Sequence, residues 1–85
     1  MIAHPALHVV VEYFAILREQ SGVADEALEL DDPDAGRLYE TLSRKYGFSL
    51  EKNRCRLAIN DAYCDWETPL KSGDRVVFIP PVSGG

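Results

Sequence analysis

The sequence predicts an α+β domain in which one main amphipathic helix packs on one face of a mixed sheet. Three observations carry this expectation. Residues 8–15, 54–60 and 75–79 are β-branched and aromatic or alternate apolar with polar, the period of a strand. Only one segment, ending near Tyr46, repeats its apolar residues every four positions (Leu38, Leu42, Tyr46), the period of a helix with one buried stripe. The chain has 85 residues, 46% of them hydrophobic and 27% charged. That is a globular composition with room for a single core.

The elements follow in order. Residues 8–15, His8-Val9-Val10-Val11-Glu12-Tyr13-Phe14-Ala15, form a first strand. Its two faces are Val9, Val11 and Tyr13 against Val10, Glu12 and Phe14; the charge of Glu12 assigns the second set to the outer face, which exposes Phe14. Ile16–Gln20 make a short helical turn closed by Ser21-Gly22, with Gly22 as a left-handed cap. Residues 24–30 form a second strand antiparallel to the first, with Leu28 and Leu30 inward and Glu29 outward. In the cluster Asp31-Asp32-Pro33-Asp34, an aspartate cap followed by proline at the first helical position starts the main helix. The helix runs to about Tyr46 and Gly47 stops it, with Phe48 folding back on its last turn. Residues 54–60 alternate, with Cys55, Leu57 and Ile59 facing the core and Arg54, Arg56 and Asn60 facing out. A tight turn at Asn60-Asp61 leads into a short strand through Tyr63 and Cys64. A turn from Asp65 to Leu70, with Trp66 as a packing anchor, and a second at Lys71–Asp74 precede the last strand, Arg75–Ile79. There Val76 and Phe78 share one face, Val77 and Ile79 the other.

One helix on one face of the sheet, with the first and last strands parallel neighbours, is the β-grasp, ubiquitin-like arrangement: a five-strand mixed sheet with one main helix. Its other face is left without a helix. Phe14, Val77 and Ile79, with Tyr63 and Ala58, are expected there as an apolar patch of the kind that meets a partner. The expected organisation is a flexible N-terminal segment at 1–7, a β-grasp domain at 8–79 and an extended C-terminal tail at 80–85.

Composition narrows the function. The net charge is -5 with two cysteines. This argues against nucleic-acid binding and against a disulfide scaffold. No stretch approaches the length of a membrane span, and residues 1–7 do not read as a secretory signal, so a cytoplasmic protein is expected. No metal site is expected, and no catalytic motif occurs. The glutamates at 12, 26, 29, 40 and 51 read as solvated charges. Cys55 reads as a buried thiol, and Cys64, near Asp61 and Asp65, as an unreactive one.

What remains is the ending, Ile79-Pro80-Pro81-Val82-Ser83-Gly84-Gly85. Pro80 and Pro81 have fixed φ and no amide proton, so they end the strand and favour an extended exit. Ser83, Gly84 and Gly85 then reduce the side chain to almost nothing. Residues 81–85 can reach about 15 Å at ~3.3 Å each. A tail stiff at its root and bare at its tip suits insertion into a narrow channel. The group it would deliver is the α-carboxylate of Gly85, which needs activation, for instance as an acyl-adenylate, before a nucleophile can attack it.

Phe14-Ala15-Ile16-Leu17-Arg18-Glu19, Ala58-Ile59-Asn60-Asp61, Asp65–Asp74 and Phe78–Gly85 together resemble the small subunit of molybdopterin synthase, the MoaD family of ThiS/MoaD-like sulfur carriers. The resemblance spans about residues 8–85. It implies that Gly85 is adenylated by an E1-like, MoeB-like enzyme using ATP and magnesium, and then thiocarboxylated by a sulfur donor system. It implies that Pro80, Pro81, Val82, Ser83 and Gly84 insert into a MoaE-like large subunit in a heterotetramer, where sulfur passes to cyclic pyranopterin monophosphate, the acid-base residues being the large subunit's. It also implies that Phe14, Tyr63 and Ile79 belong to the partner surface, and that this chain binds no cofactor of its own. The sequence departs from the family where many relatives start the main helix with threonine or serine: Gly36 lies near that place, with Asp34 as a substitute cap. Cys64 occupies a commonly apolar position. Two other readings stay open: a sulfur carrier of another pathway (thiamine or cysteine), and a ubiquitin-like protein modifier joined to lysines through Gly85.

Overall fold

The computed structural model describes residues 6–82. Five strands form one sheet: β1 (Leu7–Tyr13), β2 (Asp25–Leu30), β3 (Arg56–Ile59), β4 (Ala62–Cys64) and β5 (Arg75–Ile79). Their order is β2-β1-β5-β3-β4. β1 is antiparallel to β2 and parallel to β5; β3 is antiparallel to β5 and to β4. A short helix, α1 (Ala15–Ser21), follows β1, and the main helix, α2 (Ala35–Tyr46), follows β2. This is the β-grasp architecture that the sequence predicts.

The strand faces sort by alternation as expected. Val9, Val11 and Tyr13 are buried beneath α2, whereas Val10 and Phe14 are exposed. Val76 and Phe78 are fully buried on the same inner side, opposite the exit of the chain at Ile79. The first strand is shorter than expected. It ends at Tyr13, because Ala15 turns into the left-handed region (φ 51°) and opens α1, with Phe14 as its extended N-cap residue. Gly22 then closes α1 in the left-handed conformation, as expected. Arg54 is not in the third strand either: Lys52–Arg54 form one turn of 3-10 helix, which delivers Cys55 to the core.

The cap of α2 is Asp34, the substitute cap implied by the resemblance, and not the aspartate before Pro33 that the local pattern suggested. The Asp34 carboxylate accepts hydrogen bonds from the backbone N–H of Gly36 and of Arg37 at 2.8 and 3.2 Å, which satisfies two orphan donors of the first turn. Asp32 acts one step earlier, accepting the Asp34 N–H at 2.9 Å. Gly47, at φ 72°, ends α2, and the Phe48 N–H folds back to the Ser43 carbonyl. Asn60 and Asp61 both take positive φ (52° and 70°), the two-residue turn that matches the twist of a hairpin.

The core is an aromatic stack. Tyr39, on α2 beside the Leu38–Leu42 stripe, meets Phe78 edge-on at 5.1 Å and Trp66 edge-on at 6.0 Å; Trp66 stacks on Phe78 at 5.8 Å. Such pairs contribute about 0.5–1.5 kcal/mol each beyond their buried area. The Tyr39 hydroxyl donates to the Leu50 carbonyl at 2.7 Å, so the ring is buried without leaving its polar end unpaired.

Two of the glutamates read as solvated are paired. Glu12 binds Arg75 at 2.8 Å. Glu26 points inward from β2, with its side chain only 18% exposed, and accepts from the hydroxyls of Tyr13 and Tyr46 at 2.6 Å each. Lys45 stands 3.8 Å away. Burial alone would raise the Glu26 carboxyl above its ordinary value, but the two phenol hydrogen bonds and Lys45 outweigh it and hold the carboxyl below 4.5. The same arrangement pushes both tyrosines up, Tyr13 chiefly through burial and Tyr46 chiefly through the Glu26 bond. One carboxylate thus ties β1, β2 and the end of α2 together.

A carboxyl held low in the folded chain contributes stability above its unfolded value and loses it as pH falls through the folded one. Glu26→Gln should therefore cost about 1–3 kcal/mol at pH 7. The deficit relative to wild type should shrink as pH drops below 4.5, which urea unfolding at a series of pH values will check. Ala15→Gly removes the left-handed strain of a side chain with φ 51°. It should stabilise the chain by about 0.5–1 kcal/mol in the same assay, the strain relieved exceeding the added entropy of the unfolded chain.

Candidate functional site

The outer face of the sheet is assembled by register. β5 pairs Val77 with Glu12 on one side and Ala58 on the other; Ala58 pairs in turn with Tyr63. These residues point away from α2 because Val11, Leu57, Val76 and Phe78 point toward it. Glu12, Phe14, Ala58, Asp61, Tyr63, Val77 and Ile79 line one shallow depression of about 260 Å³. The three residues expected at the partner surface thus come together, although they lie on or beside three different strands. Phe14 is 49% and Tyr63 61% exposed, and Ile79 is half-buried. The floor, Ala58 and Val77, is buried by these neighbours.

Around this apolar floor the polar groups are ordered. Arg75 neutralises Glu12 at 2.8 Å. The guanidinium of Arg56 lies over the Tyr63 ring, 3.9 Å from its centroid, a cation–π contact. Arg56 is directly opposite Ile79 in the β3–β5 ladder, so it stands where the tail begins. Asp61 lies in the turn beyond the other end of β3. Sequence parity put Arg56 on the outer face but did not pair it with Tyr63. That contact crosses diagonally between β3 and β4, and only the register reveals it.

The tail leaves from the edge of this depression. Pro80 is half-buried, Pro81 exposed and Val82 92% exposed. All three line a groove of about 540 Å³ with Ala15, Ile16, Glu19, Leu50 and Arg54. The root of the tail therefore runs along the start of α1 and the segment before β3, and it grows more exposed from Pro80 to Val82. Ser83, Gly84 and Gly85 lie outside the described residues.

Elsewhere the side chains are structural. Cys55 is buried and donates to the Tyr39 hydroxyl at 3.6 Å; burial pushes its thiol up, against the weaker effects of Tyr39 and Arg54. Cys64 is half-buried at the core margin, with Sγ 4.0 Å from the Leu57 carbonyl. Asp74 is buried and accepts from Asn60 and from the Lys71 backbone N–H, closing the turn before β5. Among the described residues no three His, Cys, Asp or Glu side chains gather as a metal site. No helix among them is long and apolar enough to cross a membrane.

Known proteins share this arrangement. The sequence profile described as the ThiS family matches residues 11–85. The molybdopterin synthase sulfur carrier subunit of Haemophilus influenzae is 38% identical over 78 residues, covering 88% of this chain and 96% of that protein. Among solved structures, the complex of subunits 1 and 2 of molybdopterin-converting factor from Helicobacter pylori contains a chain that is 31% identical. Its TM-score is 0.67, and the match covers 93% of this chain and 100% of that one. The small archaeal modifier protein 1 of Methanosarcina acetivorans is 25% identical with a TM-score of 0.72, covering 98% and 100%. With the family profile spanning the domain and the tail alike, the chain belongs to the ThiS family and groups there with the molybdopterin synthase sulfur carrier subunits.

Proposed function

We propose that this chain is the sulfur carrier subunit of a molybdopterin synthase, with the Gly85 α-carboxyl as its reactive group. The observation that carries this reading is the geometry at the end of β5. The central strand delivers an apolar recognition face at Ile79 and, one residue later, a proline-stiffened tail that leaves the body. The carboxylate of Gly85 is activated as an acyl-adenylate by a MoeB-like, E1-like enzyme, which supplies ATP and magnesium. Sulfide-level sulfur from a donor system then attacks the acyl carbon and displaces AMP, leaving a thiocarboxylate. The loaded tail, residues 80–85, enters a MoaE-like large subunit. There the thiocarboxylate sulfur forms a C–S bond to cyclic pyranopterin monophosphate as an oxygen leaves that carbon, and water then cleaves the acyl C–S bond, so that sulfur stays on the pterin and the carrier returns as its carboxylate. Two such deliveries build the dithiolene. The acid-base groups of that step belong to the large subunit; no side chain gathered at the outer face has the arrangement of a general acid-base pair. Catalysis by this chain is therefore presentation: the body docks and the terminus reacts. The cell interior, where the activating partner finds its nucleotide, is the proposed location.

A second reading is a protein modifier, which uses the same activated terminus but transfers the acyl group to a lysine amine. The likeness to a chain named as a small archaeal modifier supports keeping it in the test. Incubation with the activating enzyme, ATP and a sulfur donor should add to the intact chain the mass difference of one oxygen exchanged for one sulfur. Removal of Gly85 should abolish it. Conjugates that carry a Gly-Gly remnant on lysine, with no thiocarboxylate, would favour the modifier instead.

Phe14→Ala removes an exposed ring from the recognition face and leaves the core untouched. It should weaken binding to the large subunit by about 1–3 kcal/mol while the unfolding free energy stays within about 0.5 kcal/mol of wild type. Calorimetric titration and urea unfolding measure the two effects separately.

A further inference from the structure

On the outer face the guanidinium of Arg56 has no counter-charge among the described residues. Glu12 is neutralised by Arg75 at 2.8 Å, whereas among the described residues no carboxylate lies within ion-pair distance of Arg56 and no acceptor takes a hydrogen bond from its guanidinium. The group is nonetheless held in place. Its central carbon lies over the Tyr63 ring, 3.9 Å from the centroid, a cation–π contact that uses none of its N–H groups in a conventional hydrogen bond. A guanidinium held over a ring has lost part of its rotational freedom before any partner arrives, so less is lost when its donors are used.

The setting indicates what those donors meet. Arg56 pairs across the ladder with Ile79, and Tyr63 shares a depression with Phe14, Val77 and Ile79. The charge therefore stands at the tail end of an apolar patch, while the acidic Asp61 stands beyond the opposite end of β3. The whole chain carries a net charge of -5, so a bare cation at the root of the tail opposes the general field of the molecule. A partner that covers Tyr63 also approaches the Arg56 head above it and takes part of that head out of water. An apolar partner surface would leave five N–H donors unpaired, at a cost that purely hydrophobic contact does not offset. A carboxylate fits the fork in a bidentate geometry and turns that cost into orientation.

Resting on the functional reading above, we infer that Arg56, stacked on Tyr63 beside the tail root, is a specificity determinant that pairs with a carboxylate set within the apolar docking surface of the large subunit. The pair fixes which way round the body docks: Arg56 on the acidic spot, Asp61 away from it, and the tail directed from that end into the partner. Discrimination follows from the same contact. A large subunit with an apolar residue at that spot would bury an unpaired guanidinium and be rejected.

The test is calorimetric titration of the full chain and of Arg56→Leu and Arg56→Lys into the purified large subunit from the same organism, at about 0.05 and 0.5 M salt, where screening differs severalfold. The inference expects Arg56→Leu to bind at least ten-fold more weakly at low salt, roughly the effect of stripping one partner from a desolvated charge pair, and to lose most of the salt dependence. Arg56→Lys should fall between the two, keeping the charge but not the planar fork. Affinity of Arg56→Leu equal to or tighter than wild type would overturn the inference while leaving the carrier function standing, because a docking surface that is apolar throughout welcomes leucine. Absence of binding by the unaltered chain would overturn the functional reading and this inference with it.

Discussion

The parallel pairing of β1 with β5 is the constraint on which the structure depends. It places β5 in the middle of the sheet, with β1 on one side and β3 on the other. Its register, Val11 opposite Val76 and Tyr13 opposite Phe78, sends both inner residues of β5 under α2, where they are fully buried. The same register leaves Val77 and Ile79 on the outer face. A slip of one residue would exchange the two sets. It would bury the recognition face and expose the aromatic core in a single step. Because β5 is also the strand that leads into residues 80–85, the pairing fixes where the tail departs.

The inner and outer faces are built for different tasks. Inside, Tyr39, Trp66 and Phe78 interlock, and Glu26 joins Tyr13 to Tyr46 at the other end of α2. A domain this small has little surface to bury, so close aromatic contacts and one shared carboxylate supply the rigidity that a larger core would give. Outside, the floor of Ala58 and Val77 is thin, and Phe14 and Tyr63 remain open to water. A rigid inner layer supports an outer layer whose aromatic rings remain open to water. Rigidity also matters to the tail: Pro80 and Pro81 transmit the direction of β5 only as faithfully as the body holds β5.

Most of this plan was legible in the residues. Alternation in Val9-Val10-Val11-Glu12-Tyr13-Phe14 sorted the faces correctly because one charge, Glu12, broke the symmetry between them. Gly22 and Gly47 marked helix ends because few other residues take left-handed φ without strain. The misses share a cause. Tyr39 was absent from the four-residue stripe although it is the hub of the core, since a helix on a twisted sheet buries more than one row. Glu26 looked solvated because its partners, Tyr13 and Tyr46, lie on other elements 13 and 20 residues away. Local pattern placed the capping aspartate two residues early, because Asp32-Pro33 is a good helix start in isolation, and the family resemblance alone offered Asp34, which the chain path sets over the open N–H groups of Gly36 and Arg37. Arg56 on Tyr63 was hidden for the same reason. Local pattern assigns a face, but contacts between elements need the register.

The proposed function joins these parts into one claim, that the body exists to hold a backbone terminus in front of a partner's reaction centre. Nothing in that claim asks a side chain of this protein to make or break a bond. It asks that the outer face dock, that the proline root keep the tail extended and that the last carboxyl be the one activated. The most direct measurement is the rate of sulfur transfer to cyclic pyranopterin monophosphate by the full chain, activating enzyme and large subunit, compared with a variant carrying one uncleaved residue after Gly85. Loss of transfer in the variant, with docking to the large subunit retained, is the predicted result. Transfer at the wild-type rate would contradict it, since the reacting group would then lie elsewhere on the chain.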